Sequence, residues 1–446
     1  MARKKKGEDL PLHEQLPPVD FTARGAEDSL SDQANLLAAK QSPAYPVAGG
    51  LIAHALTLRG ERVMLDYAAS GVGVKIEVDG VWMNVDPRDR QSGDTMLSVF
   101  KKIANLNVDE RRSRQDGKFG AEFERSKFNC SFTSQGVKTG ERVLIKIEPK
   151  NAKFETIDDL GIREGMRARF KELIDQSEGL VILSTPPGGG LSTMWNLALS
   201  TSDRFVRDFV AIEDTAAPEE EVINVGQIFY DGAKGETPAG VLPKLLLKQP
   251  DVFVVPNLVN GEAVKILCEQ VNKDQKLVVT RIHAKEAVEA LLRVLMLNGP
   301  AESFAEAVSF VLNSRLIRKL CENCKQAYQP QPQLIQKLGI PPGRVQNLYR
   351  EFQMPPPEQR VDSRGRPIEI EICDKCGGIG YLGRTAIFEM LEVSSEMKEA
   401  LKKKPSLEVL RKLAKASGNR SLQEEGIVMV AQGSTSLQEL QRVLKQ

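Results

Sequence analysis

The stretch that decides the fold is VILSTPPGGGLST, residues 181–193. The apolar run Leu180–Leu183 predicts a buried strand, the glycines predict a tight turn, and a helix is expected to begin directly after them. A strand, a glycine-rich turn and a helix in this order form a phosphate-binding loop, in which backbone N–H groups at the helix N-terminus face phosphate oxygens. The candidate nucleotide-binding residues are Gly188, Gly189, Gly190, Leu191, Ser192 and Thr193.

This loop lacks its usual cation. A phosphate-binding loop normally has a lysine that reaches the β- and γ-phosphates, followed by a Ser or Thr that holds Mg²⁺. Ser192 stands at the hydroxyl position, but Leu191 occupies the lysine position and Thr185 replaces the first glycine. A glycine turn between a strand and a helix is also a common structural element without a ligand. The pattern alone therefore leaves both interpretations open.

The composition indicates a folded, soluble chain. Its 446 residues leave room for about three domains. Lys and Arg number 61 and Asp and Glu 60, for a net charge of +1, so the whole-chain basic bias of nucleic-acid-binding proteins is absent and we expect no nucleic-acid partner. No apolar run is long enough to cross a bilayer, and the basic cluster Arg3–Lys6 is not followed by a signal-peptide core. We expect a cytoplasmic protein.

The residues before the loop predict two segments. Residues 1–48 are rich in Pro, Gln, Ala and charged residues and predict a flexible lead, with a short helix near Asp28–Lys40. Residues 49–150 predict a small α+β domain, in which the turn Asp79-Gly80 joins two alternating runs into a hairpin. Its other predicted elements are a helix at Thr95–Leu106 and strands around Ala121–Cys130 and Arg142–Ile147.

The residues after 150 predict an α/β core and a C-terminal region. Short, β-branched apolar runs alternate with helical patterns in residues 151–320, as in a parallel sheet that is buried on both faces. These runs are Leu180–Leu183, Phe209–Ile212, Val252–Val255 and Leu277–Val279. Residues 321–446 predict a cysteine-bounded, Pro-rich loop (321–376) and amphipathic helices around 394–403, 407–417 and 437–444.

Four of the six cysteines form two C-x-x-C pairs. In a chain that is not secreted, such pairs favour metal binding over disulfides, and four thiolates without an open position predict a structural zinc site. The predicted ligands are Cys321, Cys324, Cys373 and Cys376. A redox role would require a βαβ context that neither pair has. Cys130 and Cys268 are isolated and are interpreted as core residues.

Further motifs follow one another in a fixed order along the chain. They are Glu110–Lys118 (ERRSRQDGK), Gly140-Glu141-Arg142, Ile212-Glu213-Asp214, Gln249–Val252, His283, Gly380–Glu389 and Gly426–Val443. In this order, and together with the glycine loop, they resemble the type II secretion and type IV pilus assembly ATPases (the secretion protein E superfamily) over about residues 50–446.

The resemblance implies the fold class: α/β, with a RecA-like P-loop core, an N-terminal PAS-like α+β domain and a C-terminal zinc-loop plus helical subdomain. It also implies a hexamer that converts ATP hydrolysis into motion of an inner-membrane platform protein. By resemblance, Glu213, Asp214 and His283 belong to the catalytic site, and Mg²⁺ is held by Ser192 or Thr193 near the acidic pair. The alternatives are that Glu213-Asp214 caps a strand end and that His283 has no chemical role.

The chain departs from the family where the chemistry is concentrated. Pro256-Asn257 stands where the family has the Walker B glycine and glutamate, and Val259 and Asn260 replace the Arg and Asp that follow. Lys75, Glu77 and Ser131 align with arginines that the family directs at the γ-phosphate. A charge-assisted phosphate contact contributes roughly 1.5–3 kcal/mol, a positioned base about 10²- to 10⁴-fold and an arginine finger about 10³- to 10⁵-fold.

We therefore predict a hydrolysis-deficient member (a pseudo-ATPase) that is peripheral to the inner membrane, in a homo-hexamer or in a mixed ring with an active paralogue. The first alternative is an active ATPase in which Lys285 or Lys75 supplies the missing cation. The second is a zinc-bearing scaffold without nucleotide. ATP with Mg²⁺ stays open as a ligand, since the backbone amides of the glycine loop are retained.

Overall fold

The structure, a computed structural model, describes residues 15–151, 154–354, 368 and 371–445. The chain divides into two compact units, Met1–Lys153 and Phe154–Gln446. Among the described residues, no helix combines the length and the apolar character that a membrane span needs.

The first unit contains a seven-stranded antiparallel sheet with the order β1-β5-β6-β7-β2-β3-β4. Asp79 and Gly80 both have positive φ, at 50° and 77°, which is the backbone of a tight hairpin turn and confirms the predicted hairpin. The elements are β1 Asp20–Ala23, α1 Ser29–Lys40, α2 Tyr45–Thr57, β2 Gly60–Ala68, β3 Gly71–Val78, β4 Val81–Arg88, α3 Arg90–Ile103, β5 Gln115–Phe123, β6 Ser126–Val137 and β7 Gly140–Pro149.

The prediction of a flexible lead is wrong for residues 20–48. β1 pairs with β5, with Phe21 opposite Ala121, and the Phe21 ring packs edge-on against Phe119 at 5.6 Å between centroids. The predicted helix near Asp28–Lys40 is confirmed as α1. The Asp28 carboxylate caps the N-terminus of this helix by accepting the N–H of Ser31 at 2.7 Å. Residues 1–14 of the predicted lead lie outside the described residues.

Two other element boundaries in this unit differ from prediction. The strand predicted over Ala121–Cys130 is divided, because Glu124 and Arg125 adopt positive φ (47° and 68°) and turn the chain between β5 and β6. α3 begins before Thr95, because the Asp89 side chain caps it by accepting the Ser92 N–H at 2.8 Å.

The second unit is built on a seven-stranded sheet with the order β10-β9-β11-β12-β8-β13-β16. All pairs are parallel except β13 with β16, and helices pack on both faces. All four predicted apolar runs are strands of this sheet, which confirms the buried parallel sheet. The elements are α4 Glu164–Ile174, β8 Gly179–Thr185, α5 Leu191–Thr201, β9 Phe209–Asp214, β10 Val225–Tyr230, α6 Pro238–Leu246, β11 Val252–Val255, α7 Gly261–Asp274, β12 Leu277–His283, α8 Ala287–Leu295, α9 Ala301–Ala307, β13 Val308–Leu320, β14 Gln326–Tyr328, α10 Pro332–Lys337, β15 Leu348–Arg350, β16 Tyr381–Glu392, α11 Ser395–Lys402, α12 Leu407–Ala416, α13 Leu422–Ala431 and α14 Leu437–Lys445.

The boundary predicted between residues 320 and 321 does not separate two units. β16 pairs antiparallel with β13 along almost its whole length, from Phe310 opposite Glu392 to Leu320 opposite Tyr381. The C-terminal region therefore continues the core sheet. Its three predicted helices are present as α11, α12 and α14. A fourth helix, α13, is not among the predicted ones, although Ser421 and Glu424 form a capping box at its start.

Candidate functional site

The glycine loop is a tight turn that joins a strand directly to a helix. β8 ends at Thr185 and α5 begins at Leu191, and Gly188 and Gly190 adopt left-handed φ values of 75° and 83°. The N–H of Gly189 donates to the carbonyl of Pro186 at 2.9 Å. A Cβ at residue 189 would lie 2.8 Å from that oxygen, so this turn requires glycine.

The residue at the lysine position belongs to the core. Leu191 is 8% exposed and packs in one apolar cluster with Leu183, Met194 and Trp195. Ser192 and Thr193 follow it on the first turn of α5 and are exposed. The position that normally holds a phosphate-binding lysine here holds a leucine, which stabilises the junction between β8 and α5.

His283 and Asn313 contact the last residues of β8, where the strand leads into the glycine loop. Ala284 donates its N–H to the Thr185 carbonyl at 3.0 Å, and the Nδ1 atom of His283 lies 3.1 Å from the same oxygen. Because a carbonyl only accepts, Nδ1 carries the proton in this contact. The Asn313 amide donates to the Ser184 hydroxyl at 2.6 Å and to the Ala284 carbonyl at 3.1 Å. His283 therefore has a positioning contact with the loop.

The two acidic residues at the end of β9 act as acceptors for their own chain. Glu213 is 4% exposed, its Oε2 accepts the Glu219 N–H at 2.9 Å, and burial raises the pKa of its carboxyl group. The Oδ1 atom of Asp214 accepts the Ala216 N–H at 2.9 Å. A Cβ at Gly232 would lie 2.4 Å from Asp214 Oδ2, so that carboxylate packs directly against backbone. Both contacts agree with the strand-end cap that the sequence left as an alternative.

A buried ion pair lies beside these carboxylates. Arg281 of β12 and Glu219 have side chains that are 11% and 12% exposed. The Nη1 atom of Arg281 donates to Glu219 Oε2 at 2.9 Å, and Nη2 donates to Oε1. The guanidinium also lies over the Trp195 ring, 5.3 Å from its centroid. A cation is therefore fixed at the carboxyl edge of the sheet, close to the glycine loop.

The strand that would carry the catalytic carboxylate ends without one. β11 is followed by Pro256 and Asn257, and the first carboxylate after it is Glu262 within α7. Asn260 caps α7 by accepting the Ala263 N–H at 3.0 Å, and Val259 is half exposed. These residues begin a helix and offer no proton acceptor to a water molecule.

Two of the three first-unit residues aligned with the family's arginines, Glu77 and Ser131, are engaged locally or neutral. Glu77 is buried and pairs with Arg62, whose Nη2 donates to Oε1 at 2.8 Å. Lys75 lies on β3 opposite Met64 and Asn84. Ser131 lies on β6 opposite Lys118.

The four predicted metal ligands come together. All four Sγ atoms lie within 4.8 Å of one another, with 3.8 Å between Cys321 and Cys373 and 3.6 Å between Cys324 and Cys376. Four sulfurs about 2.3 Å from one tetrahedral zinc are about 3.8 Å apart, whereas a disulfide requires about 2.05 Å. The N–H of Gly380 also lies 3.3 Å from Cys376 Sγ, as an outer-shell donor would. The cluster fits Zn²⁺.

The family described as Type II/IV secretion system protein matches residues 38–442. The chain belongs to this family. Its similar proteins include the type IV pilus assembly ATPase PilB of Thermus thermophilus, 26% identical over 94% of this chain and 45% of that protein. The protein transport protein HofB homolog of Escherichia coli K12 is 26% identical over 98% of this chain and 92% of its own length. The type II secretion system protein E of Dickeya dadantii is 25% identical over 98% of this chain and 80% of its own length.

Solved structures confirm the fold of this type II/IV secretion system protein. The X-ray structure of the ATPase DotB from Legionella pneumophila superposes with a TM-score of 0.54 at 13% identity, covering 89% of this chain and 94% of DotB. DotB from Yersinia pseudotuberculosis gives a TM-score of 0.52 at 10% identity, over 98% and 99% of the two chains. The predicted fold class is therefore confirmed as α/β with a RecA-like core, a preceding α+β unit and a cysteine cluster near the C-terminus.

Several residues that shape the site of this secretion-family protein were not singled out from the sequence. Arg281, Glu219 and Asn313 are the main ones. Arg281 and Asn313 do carry a signal, because each is a polar residue that comes within two residues of an apolar run in its strand. Glu219 lies in the run Glu219-Glu220-Glu221, where nothing distinguishes the residue that becomes buried.

Proposed function

We propose that this chain is a hydrolysis-deficient subunit or regulator of a type II secretion or type IV pilus assembly machine. Membership of the secretion family is established by the match above. The observation that carries the finer proposal is Leu191, which stands at the position of the phosphate-binding lysine and packs into the core. A lysine at this site would have to leave the apolar cluster to reach a phosphate.

The other replacements act in the same direction. Without a carboxylate directly after β11, no side chain there takes up a proton from an attacking water, a contribution of about 10²- to 10⁴-fold in rate. The lost lysine contact removes roughly 1.5–3 kcal/mol of phosphate binding. Even when such losses are strongly non-additive, the remaining rate is too slow to drive a motor. We expect nucleotide, if bound, to be held by backbone N–H groups of residues 188–192 without turnover.

Assembly and location complete the proposal. We propose a ring of six subunits, either of this chain alone or mixed with an active paralogue, at the cytoplasmic face of the inner membrane and in contact with a platform protein. A structural Zn²⁺ bound by the four cysteines would fix residues 321–376 at both ends, because both C-x-x-C pairs share one ion. The presence of an intact paralogue in the same genome would support the mixed ring.

The test is steady-state phosphate release by the full chain, with ATP binding measured in parallel. We expect release far below the order of 1 s⁻¹ that is ordinary for enzymes. Leu191→Met, which conserves volume and apolar character, should behave as the parent, and Leu191→Lys should raise nucleotide affinity more than turnover.

Turnover near 1 s⁻¹ that is lost in Ser192→Ala would contradict the proposal and favour the active ATPase. Zinc at one equivalent with no nucleotide binding in either the parent or Leu191→Lys would instead favour the scaffold.

A further inference from the structure

Arg281 is a charged residue directly after the buried part of β12. The four residues before it, Leu277–Thr280, are completely buried. Because side chains alternate along a strand, Arg281 lies on the same face of the sheet as Leu277 and Val279, the face that α5 covers. In the sheet it is directly opposite Leu183, two residues before the glycine loop begins. Its guanidinium is therefore held at the carboxyl edge beneath the loop.

Every part of this guanidinium has a specific partner. The Nη atoms form the two hydrogen bonds to Glu219, Nε lies 3.4 Å from the Pro256 carbonyl, and the plane lies over Trp195. Planar, bidentate pairing of this kind suits arginine and not lysine. Arg281 thus contacts three parts of the fold: α5, the residue after β11 and the segment after β9.

Three carboxylates at this edge already accept hydrogen bonds from the chain itself. Both oxygens of Glu219 accept from Arg281. Glu213 accepts the Glu219 N–H and a hydrogen bond from Gln227. The Glu220 Oε2 atom accepts from the Asn196 amide at 3.0 Å. Mg²⁺ requires near-octahedral oxygen ligands at about 2.0–2.1 Å, so Glu219, which has Arg281 on both of its oxygens, does not fit this ion as it is arranged.

We propose that the Arg281 guanidinium is an internal cation that takes the place of a divalent metal ion at the carboxyl edge of the sheet, where it pairs with Glu219 beside Glu213. The pair thereby places a guanidinium beside the acidic end of β9 without metal. This inference deepens the proposed function of the same site, but it is tested without nucleotide. A result that contradicts the role of Arg281 is therefore distinguishable from a result that shows ATP turnover.

The proposal predicts a gain of metal binding when the cation is removed. Arg281→Gln and Arg281→Thr leave Glu213 and Glu219 as two adjacent carboxylates without a counter-ion, which favours capture of a cation. Two variants are needed because either may disturb the strand, and threonine is well suited to a β-strand. Arg281→Lys is the matched control, because it keeps the positive charge. Adding Glu219→Gln to either neutral variant removes half of the new ligand set.

The probe is Mn²⁺ alone, titrated into the zinc-loaded full chain and followed by electron paramagnetic resonance, with circular dichroism to show folding. Carboxylate oxygens suit manganese, whereas the cysteine thiolates favour zinc. We expect the parent and Arg281→Lys to bind no Mn²⁺ at this site, and a folded neutral variant to bind one equivalent at least about tenfold more tightly. The added Glu219→Gln change should abolish that gain.

Two results would overturn the proposal. One is Mn²⁺ binding by the parent chain that disappears in Glu213→Gln, since the edge would then accept a metal with Arg281 in place. The other is a folded Arg281→Gln or Arg281→Thr protein that binds Mn²⁺ no better than the parent. A merely structural role for the ion pair would lower stability in these variants without creating a metal site.

Discussion

Glu389 is expected to make the stability of the second unit depend on pH. It lies on β16 with 4% of its surface exposed, and its Oε2 accepts the Ala287 N–H at 2.9 Å at the start of α8. Burial raises the pKa of this carboxyl group from 4.5 to about 7. The folded state therefore binds the proton more tightly than the unfolded state does. The stabilisation is fully present below pH 4.5 and is lost as the pH rises through about 7.

The size of the effect follows from the shift. A difference of about 2.5 pKa units at about 1.36 kcal/mol each corresponds to about 3 kcal/mol of unfolding free energy. For a unit of this length, about 2 °C of melting temperature per kcal/mol gives a change of roughly 6 °C. Glu389→Gln removes the titration and keeps an oxygen for the Ala287 N–H. The variant should be more stable than the parent at pH 8, and the difference should shrink towards pH 5.

The assay is urea unfolding followed by circular dichroism at several pH values from 5 to 8. Glu392→Gln is the matched control on the same strand, because the hydrogen bond from Arg169 lowers the pKa of Glu392 and places its titration below this range. Parallel stability profiles for the parent and Glu389→Gln would refute the reasoning. They would show that the carboxyl group is solvated or compensated in the folded state.

Three further changes test other parts of the molecule. Glu439→Gln should lower the free energy of unfolding by about 3 kcal/mol at pH 7, measured by urea unfolding. Burial opposes ionisation of Glu439, but two arginine side chains outweigh it and lower the pKa of this carboxyl group to about 2. The parent should lose this contribution as the pH falls from about 4.5 towards 2. Cys376→Ser should abolish bound zinc in metal analysis and lower the melting temperature, whereas Cys130→Ser should retain the metal. Lys101→Met should lower the free energy of unfolding by roughly 3–5 kcal/mol in chemical denaturation, because it leaves the buried Glu141 without its 2.7 Å ion pair. The double variant Lys101→Met with Glu141→Leu should recover most of that loss.

The parts of the fold that could be predicted are those with strong local patterns. Val252–Val255 and the other apolar runs of the core sheet are short, continuous and β-branched because both faces of each strand are covered. The two C-x-x-C pairs likewise carry their chemistry in their spacing. In both cases the sequence contains the physical reason within a few residues.

The parts that could not be predicted depend on distant partners. β1 has only four residues, so no period is visible, and its place is set by pairing with β5 far along the chain. Composition alone therefore suggested a flexible lead. β16 lies beyond the cysteine region, and only the tertiary pairing with β13 shows that it completes the core sheet.

The distribution of charged groups around the glycine loop could be predicted only in part, again because it depends on residues that are distant in the sequence. The loss of the lysine is visible at Leu191, but the fate of the acidic residues depends on which side chain is buried beside them. The sequence shows Arg281 only as a charged residue shortly after the apolar run Leu277–Val279. Its pairing with Glu219 joins residues from two separate segments, and no local pattern specifies that contact.

The two replacements at the loop support each other electrostatically. A triphosphate in a phosphate-binding loop normally contacts two cations, a lysine side chain and a divalent metal ion. Leu191 removes the first, and on the proposed role of Arg281 the second is replaced by a guanidinium whose charge is already balanced by Glu219. The glycine loop nevertheless keeps its shape, because Gly189 is required by the turn itself and Leu191 packs into the core below it. Retention of the loop is therefore explained by folding, and it carries no implication that phosphate is cleaved there.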